Sequence, residues 1–253
     1  MKAPNTLVKV YTAAILIMLP LIVAAFFTPP DFPMLPRQIL LGVWGVGATL
    51  VAERWLFSRT WRQAGQAVGF VRTRLPAVAV ALLVSLPMWL FLPLLAWLQA
   101  TPIQLQPDWF ALLLGVMLVN GLTEEVLHRG FVFGHLQQEH SFSRAATLSA
   151  LLFAAQHLYL IFTIGWLAGL ASVVLAALLT FPLAYSYARG GNSLSGPAIL
   201  HTSSNAPMII LALPPSFGAS VLVPYMGVVL VSIYLVFILD RSPARPTVKA
   251  MIR

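Results

Sequence analysis

Two adjacent glutamates stand inside a long apolar stretch of this sequence, in the segment GLTEEVLHRG (residues 121–130). An ionised side chain at the centre of a bilayer costs roughly 2.5 to 3.5 kcal/mol, so such residues usually pair with each other or perform chemistry. Glu125 and Arg129 are four residues apart on one helical face, and we expect them to form a supporting ion pair. Glu124 has no cation nearby in the sequence, and its neighbour His128 could accept its proton or point elsewhere. We therefore interpret Glu124 as a functional group.

Two further apolar segments carry polar or aromatic residues at helical spacing. In LLFAAQHLYL, Phe153 and His157 are four residues apart, and in AILHTSSNAP, His201 and Asn205 have the same separation. Residues four apart lie on one face of a helix. Each pair can therefore present both of its side chains to one neighbour.

These residue types suit the hydrolysis of a peptide bond. A carboxylate beside an imidazole can remove a proton from water, and a second imidazole with an amide can donate hydrogen bonds to the oxyanion that forms when water attacks a carbonyl. Glu124, His157 and His201 could instead hold a zinc ion with water as the fourth ligand. The residues alone leave both options open. The chain has no cysteine, which excludes a thiolate nucleophile, a disulfide and a cysteine-bound metal.

The composition indicates where these residues lie. Of the 253 residues, 59% are hydrophobic and only 9% are charged. The apolar residues form blocks of about 20, the length that crosses a hydrocarbon core roughly 30 Å thick. We predict an all-α, polytopic membrane protein, a bundle of about eight transmembrane helices that forms one integral membrane domain over residues 1–253. The predicted spans are 6–27, 37–57, 76–98, 107–136, 142–160, 163–188, 193–213 and 219–239.

Positive charges lie mainly on one side of the predicted bundle, at both termini and around residues 54–74. Because cytoplasmic flanks collect Lys and Arg, we expect both termini in the cytoplasm, in an integral protein of a bacterial inner membrane. Counted from the cytoplasmic ends, Glu124, His157, His201 and Asn205 lie about 12 to 21 Å into the bilayer. Groups from three helices at one depth can converge on one cavity. The net charge of +8 gives no reason to expect nucleic acid, because the basic residues are dispersed over membrane flanks.

The motifs EEVLHR, FAAQH and HTSSN match EExxxR, FxxxH and HxxxN in order and spacing. The sequence thus resembles the CPBP family, also called Abi or CAAX-protease-like, over about residues 107–213. The resemblance implies an eight-helix bundle with an intramembrane catalytic cavity and its catalytic core in that segment. It also implies that Glu124 and His157 activate water, that His201 and Asn205 bind the oxyanion, and that three residues support the site: Glu125, Arg129 and Phe153. His128 departs from the apolar or aromatic residue that is usual before this arginine.

The resemblance implies a hydrolase, an intramembrane endopeptidase that cleaves near a membrane-embedded or lipid-anchored segment, for example in C-terminal processing of a CAAX-like or sorting-signal substrate. Its partners would be a membrane-anchored protein or peptide and the lipid bilayer. We favour a glutamate mechanism without a cofactor, because the HxxxN pair offers an oxyanion donor where a metal site would prefer another ligand. Zinc on Glu124, His157 and His201 remains the alternative. Two other classes also remain: a non-catalytic scaffold or immunity partner with this fold, and a proton-coupled transporter.

Overall fold

The computed structural model describes residues 6–29, 32–214 and 217–240, and nearly all of them are helical. Two π-helical segments, Met117–Thr123 and Val126–Phe133, lie between α5 and α6 and are called the first and second π segments. The α-helices are α1 Thr6–Phe27, α2 Met34–Leu56, α3 Trp61–Ala67, α4 Leu75–Leu98, α5 Trp109–Val116, α6 Gly134–Glu139, α7 Phe142–His157, α8 Leu160–Thr163, α9 Trp166–Arg189, α10 Ser195–Ile210, α11 Gly218–Tyr234 and α12 Val236–Leu239.

Seven helical stretches of the described chain are long and apolar enough to cross a membrane. They are Thr6–Ala24, Met34–Leu56, Leu75–Leu98, Trp109–Glu139, Phe142–Thr163, Trp166–Arg189 and Val221–Leu239. The predicted all-α, polytopic membrane fold is therefore confirmed. These stretches correspond to seven of the eight predicted spans.

The remaining predicted span, 193–213, is shorter than expected. It corresponds to α10, whose 16 residues extend about 24 Å, less than the roughly 30 Å of a hydrocarbon core. The helix ends because the chain becomes extended at Leu211, where the strand Leu211–Ala212 (β2) pairs antiparallel with Gln104–Leu105 (β1). Packing compensates for the short length, since α10 contacts α4, α5, α9 and the first π segment. It is thus an inner helix of the bundle.

The stretch that carries the two glutamates is the most enclosed of the seven. Half of its membrane window is buried, against 22 to 39% for the other six. Two apolar clusters flank it. One joins α1, α7, α9 and the second π segment, and the other joins α4, α9, α10 and α11. Five ionisable residues of this stretch are buried in protein: Glu124, Glu125, His128, Arg129 and His135.

Glycines let α2 approach this stretch closely. A Cβ on Gly42 would lie 3.6 Å from the hydroxyl of Thr123, and a Cβ on Gly45 would overlap the methyl group of the same residue. Further towards the start of α2, a Cβ on Gly115 would lie 3.0 Å from Cγ of Gln38. The contacts advance in the same direction along both helices, so α2 runs parallel to α5 and the first π segment.

Candidate active site

The two glutamates lie between the π segments, where the helical turns are wider than in an α-helix. The backbone N–H of Glu124 donates to the carbonyl of Val119, five residues earlier, and the N–H of Gly134 donates in the same way to Arg129. Single turns of π-helix often occur at functional sites. Both carboxylates are buried, with Glu124 7% exposed and Glu125 completely enclosed.

Glu125 belongs to a buried ion-pair network that fixes a histidine. Its Oε1 lies 3.0 Å from Nη1 of Arg129, which confirms the predicted pair, and 2.6 Å from Nδ1 of His201 on α10. A carboxylate that is paired with an arginine can only accept hydrogen bonds, so Nδ1 of His201 carries the proton. The other ring nitrogen, Nε2, lies 3.7 Å from Oε2 of Glu124. Glu125 thus orients His201 towards the second glutamate.

Glu124 has far fewer bonds than its neighbour. Its Oε1 accepts one long hydrogen bond of 3.4 Å from Nδ2 of Asn120. Its Oε2 is buried and has no hydrogen-bond partner within the described chain. Glu124 borders a cavity of about 320 Å³ that is also lined by His157, His201 and Asn205. The structure therefore brings the four predicted catalytic residues to one cavity, with Glu124 as its carboxylate.

The imidazole of His157 is bonded to the backbone of its own helix, α7. Its Nδ1 lies 2.8 Å from the carbonyl oxygen of Phe153, and a carbonyl only accepts, so this nitrogen carries a proton. Nε2 remains for other interactions. No direct hydrogen bond joins His157 to Glu124 among the described contacts, so cooperation between them would pass through a group in the cavity. Both histidines of the site are anchored through Nδ1.

The amide of Asn205 is turned back onto α10 in this conformation. Its Nδ2 donates to the carbonyl of His201 and to Oγ of Ser204, each at 3.1 Å. The Ser204 hydroxyl in turn donates to the same carbonyl at 2.8 Å. Donation from Asn205 to an oxyanion would therefore require rotation of the amide.

Phe153 connects the separate parts of the site. The Arg129 guanidinium carbon lies 4.4 Å from the centroid of its ring, a cation–π arrangement. The same ring contacts three histidines, with centroid distances of 4.6 Å to His128, 4.6 Å to His157 and 5.7 Å to His201. The ring of Phe153 is thus buried among side chains of the site that it was predicted to support.

His128 turns away from Glu124. Its Nε2 is 2.7 Å from Oε1 of Gln156, and the histidine is fully buried. The sequence left two options for His128, to accept the proton of Glu124 or to point elsewhere. In the structure its side chain points elsewhere. Sequence reasoning missed Gln156, which is 28 residues away, and it also missed Asn120, although Asn120 stands four residues before Glu124 and could have been found from that spacing.

A metal ion would need at least three suitable donors at one point. No group of three or more His, Asp or Glu side chains in the described chain could hold one. The zinc option requires Glu124, His157 and His201 together. Nδ1 of each histidine is bonded to the protein, to a carbonyl in one case and to Glu125 in the other, which leaves Nε2 of both rings as the nitrogen that could bind a metal. In this conformation, however, the three side chains do not form a metal-binding group.

Fold and site together define an integral membrane protein with a buried carboxylate–imidazole cavity between its helices. Residues 106–207 match the family model described as Type II CAAX prenyl endopeptidase Rce1-like. This segment contains all three motifs, so the resemblance to the CPBP, Rce1-like family is confirmed for this part of the chain. No curated protein matches the sequence.

Proposed function

We propose that the protein is an intramembrane endopeptidase in which Glu124 activates the attacking water. One observation carries this proposal: the two neighbouring carboxylates have different surroundings. Glu125 is completely buried and holds Arg129 and His201 through Oε1, whereas Glu124 makes one long hydrogen bond, has Oε2 beside Nε2 of His201 and borders a cavity. A general base needs a free acceptor atom within hydrogen-bond reach of the water whose proton it takes.

The proposed reaction uses groups that line the cavity. Glu124 takes a proton from water as the oxygen bonds to the carbonyl carbon, and the carbonyl electron pair moves to oxygen. His157 directs the water through its Nε2. His201 donates to the oxyanion from Nε2 once this nitrogen carries a proton in addition to the one on Nδ1, and Asn205 adds a second donor after its amide rotates. The intermediate then collapses, the C–N bond breaks, and Glu124 passes its proton to the leaving amine.

One part of the cavity wall is apolar. Next to Ser172, α9 contributes Leu175, Ala176 and Leu179 to the lining. These three apolar side chains cannot hydrogen-bond to a peptide, but they can accommodate an apolar side chain or chain segment. We therefore propose that the substrate is a membrane-embedded or lipid-anchored segment, cleaved near its C-terminus.

The direct test compares the C-termini of native membrane proteins in cells that carry wild-type protein or Glu124→Gln. The matched control is Glu139→Gln, the same change at an exposed carboxylate that accepts a hydrogen bond from Thr6. Protein levels are equalised by immunoblot, and terminal peptides are read by mass spectrometry. We expect specific termini to lengthen with Glu124→Gln and to stay unchanged with Glu139→Gln.

The opposite result would identify a different class of protein. If no terminus changes while Glu124→Gln still complements a deletion strain, the hydrolase proposal fails. A scaffold or immunity partner that uses only the fold would then be the better account.

A further inference from the structure

A second cavity reaches Glu124 from the side of α1 and α2. It has a volume of about 330 Å³ and shares Asn120, Glu124 and Tyr159 with the site cavity. Its remaining wall includes Arg37 and Gln38 from the start of α2. Glu124 thus lies at the boundary of two cavities, and the proposed reaction uses only one of them.

Arg37 brings an uncompensated charge to this second cavity. Its side chain is half-buried and makes no ion pair or hydrogen bond to any described residue. The other buried cation near Glu124 is Arg129, which is paired with Glu125 at 3.0 Å. An arginine presents several N–H donors in a planar fork that matches a carboxylate. An anionic group in the second cavity could therefore pair with Arg37.

Gln38 adds an unsatisfied acceptor beside Arg37. Its Oε1 is buried and has no hydrogen-bond partner within the described chain. A buried acceptor without a partner costs about 1 to 3 kcal/mol, and a peptide N–H would remove that cost. A cation for a carboxylate and an acceptor for an N–H are the two groups needed to bind the end of a peptide chain.

The distance between Arg37 and Glu124 suits a short peptide tail. Gly45 of α2 packs against Thr123, so it lies level with the start of the catalytic pair. Arg37 precedes Gly45 by eight residues, which is roughly 12 Å along the helix axis. An extended peptide advances about 3.3 Å per residue, so about three or four residues would fit between the two groups.

We infer that this second cavity binds the C-terminal leaving segment of the substrate and that Arg37 pairs with its terminal carboxylate. This inference rests on the proposed function of Glu124. On cleavage, the segment on the amine side of the broken bond would remain with Arg37, and the acyl segment would lie in the site cavity. Arg37 then selects substrates whose cleaved bond is close to a free C-terminus.

The test uses purified full-length protein in proteoliposomes and two libraries of synthetic apolar octapeptides. The peptides have the same sequences and end either in a free carboxylate or in a carboxamide. Cleavage is followed by mass spectrometry at low peptide concentration, where the rate reports kcat/KM. Four proteins are compared with wild type: Arg37→Gln, Arg37→Lys, Glu124→Gln and, as a matched control, Arg144→Gln, which removes an exposed cation on α7.

We expect wild type to prefer free-acid peptides by at least about tenfold, the factor for one charge-assisted hydrogen bond. Arg37→Gln should lose this preference, so that its ratio of free-acid to amide cleavage falls to about one, and measurable cleavage of the amides shows that it is folded. Arg37→Lys should keep a weaker preference because it retains the charge, and Arg144→Gln should behave as wild type.

The two proposals fail in different ways. Equal wild-type cleavage of both libraries, or a full preference in Arg37→Gln, would overturn the role of Arg37 and leave the peptidase intact. If wild type cleaves neither library and matches Glu124→Gln, the proposed function fails and the inference fails with it.

Discussion

The two adjacent glutamates offer a sharp prediction, because the same Glu→Gln change should abolish activity at both positions but lower the free energy of unfolding substantially only at Glu125. In Glu125→Gln, the Arg129 guanidinium loses its counter-ion 3.0 Å away, and Nδ1 of His201 exchanges a charged carboxylate acceptor at 2.6 Å for a neutral amide oxygen. In Glu124→Gln, only a 3.4 Å hydrogen bond from Asn120 and a 3.7 Å contact with His201 change.

The expected magnitudes follow from burial. Arg129 and Glu125 are both completely buried, and removing one partner of such a pair leaves a charge without compensation, which costs about 3 to 5 kcal/mol. Glu124 contributes only a weak hydrogen bond, so its replacement should change the free energy of unfolding by about 1 kcal/mol or less. Replacing both members of the ion pair, in Glu125→Gln with Arg129→Met, should recover much of the loss because no buried charge then remains.

Tryptophan fluorescence provides the assay, since the chain has seven tryptophans. Unfolding of the purified proteins in mixed micelles is followed by SDS titration, and cleavage is measured on the same samples. We expect Glu124→Gln to be stable and inactive and Glu125→Gln to be unstable and inactive, with Glu139→Gln equal to wild type in both. Equal stability of the two neighbouring variants would refute the division of roles between the carboxylates.

Three further results are expected. Phe153→Leu removes the ring 4.4 Å from the Arg129 guanidinium and should cost about 2 kcal/mol in the same unfolding assay; an unchanged midpoint would contradict this. Gln156→Leu leaves buried His128 without its partner and should cost about 1 to 3 kcal/mol, and adding His128→Phe should restore most of that loss. Prolonged dialysis against phenanthroline should leave cleavage unchanged, with zinc far below one atom per chain by emission spectrometry; loss of activity that zinc restores would establish the metal-dependent alternative.

Much of the fold could be predicted because long apolar runs leave few choices. The first span was predicted at residues 6–27, and α1 covers Thr6–Phe27. The π segments could not be predicted from the pattern of apolar residues. This pattern does not distinguish a π-helix, whose backbone hydrogen bonds join residues five apart, from an α-helix, whose bonds join residues four apart. The early end of α10 was also missed, since the pairing of β2 with β1 joins residues that are about a hundred positions apart.

The site was predictable where its contacts are local. The Glu125–Arg129 pair follows from i,i+4 spacing within one helix. The bond from His201 to Glu125 joins residues 76 positions apart, and nothing in either segment specifies that partner. The sequence motifs indicated which residues belong together, whereas the direction in which each side chain points depends on how α10 packs against the π segments.

Glycines allow the helices to pack closely around the π segments. This packing explains why Glu124 and Glu125, two identical side chains, have different environments. A Cβ on Gly121 would lie 3.3 Å from the carbonyl of Ala198 on α10, and a Cβ on Gly130 would overlap the backbone of Val68 just after α3. Gly121 thus allows α10 to lie against the first π segment, and Gly130 allows the second π segment to lie against the end of α3. Neighbouring side chains on a helix diverge by about 100°, so when one carboxylate is driven into the interface with α10, the next must face another direction. Here that direction is a cavity, and Glu124, which accepts only a long hydrogen bond from Asn120 within the described chain, is the carboxylate left to react.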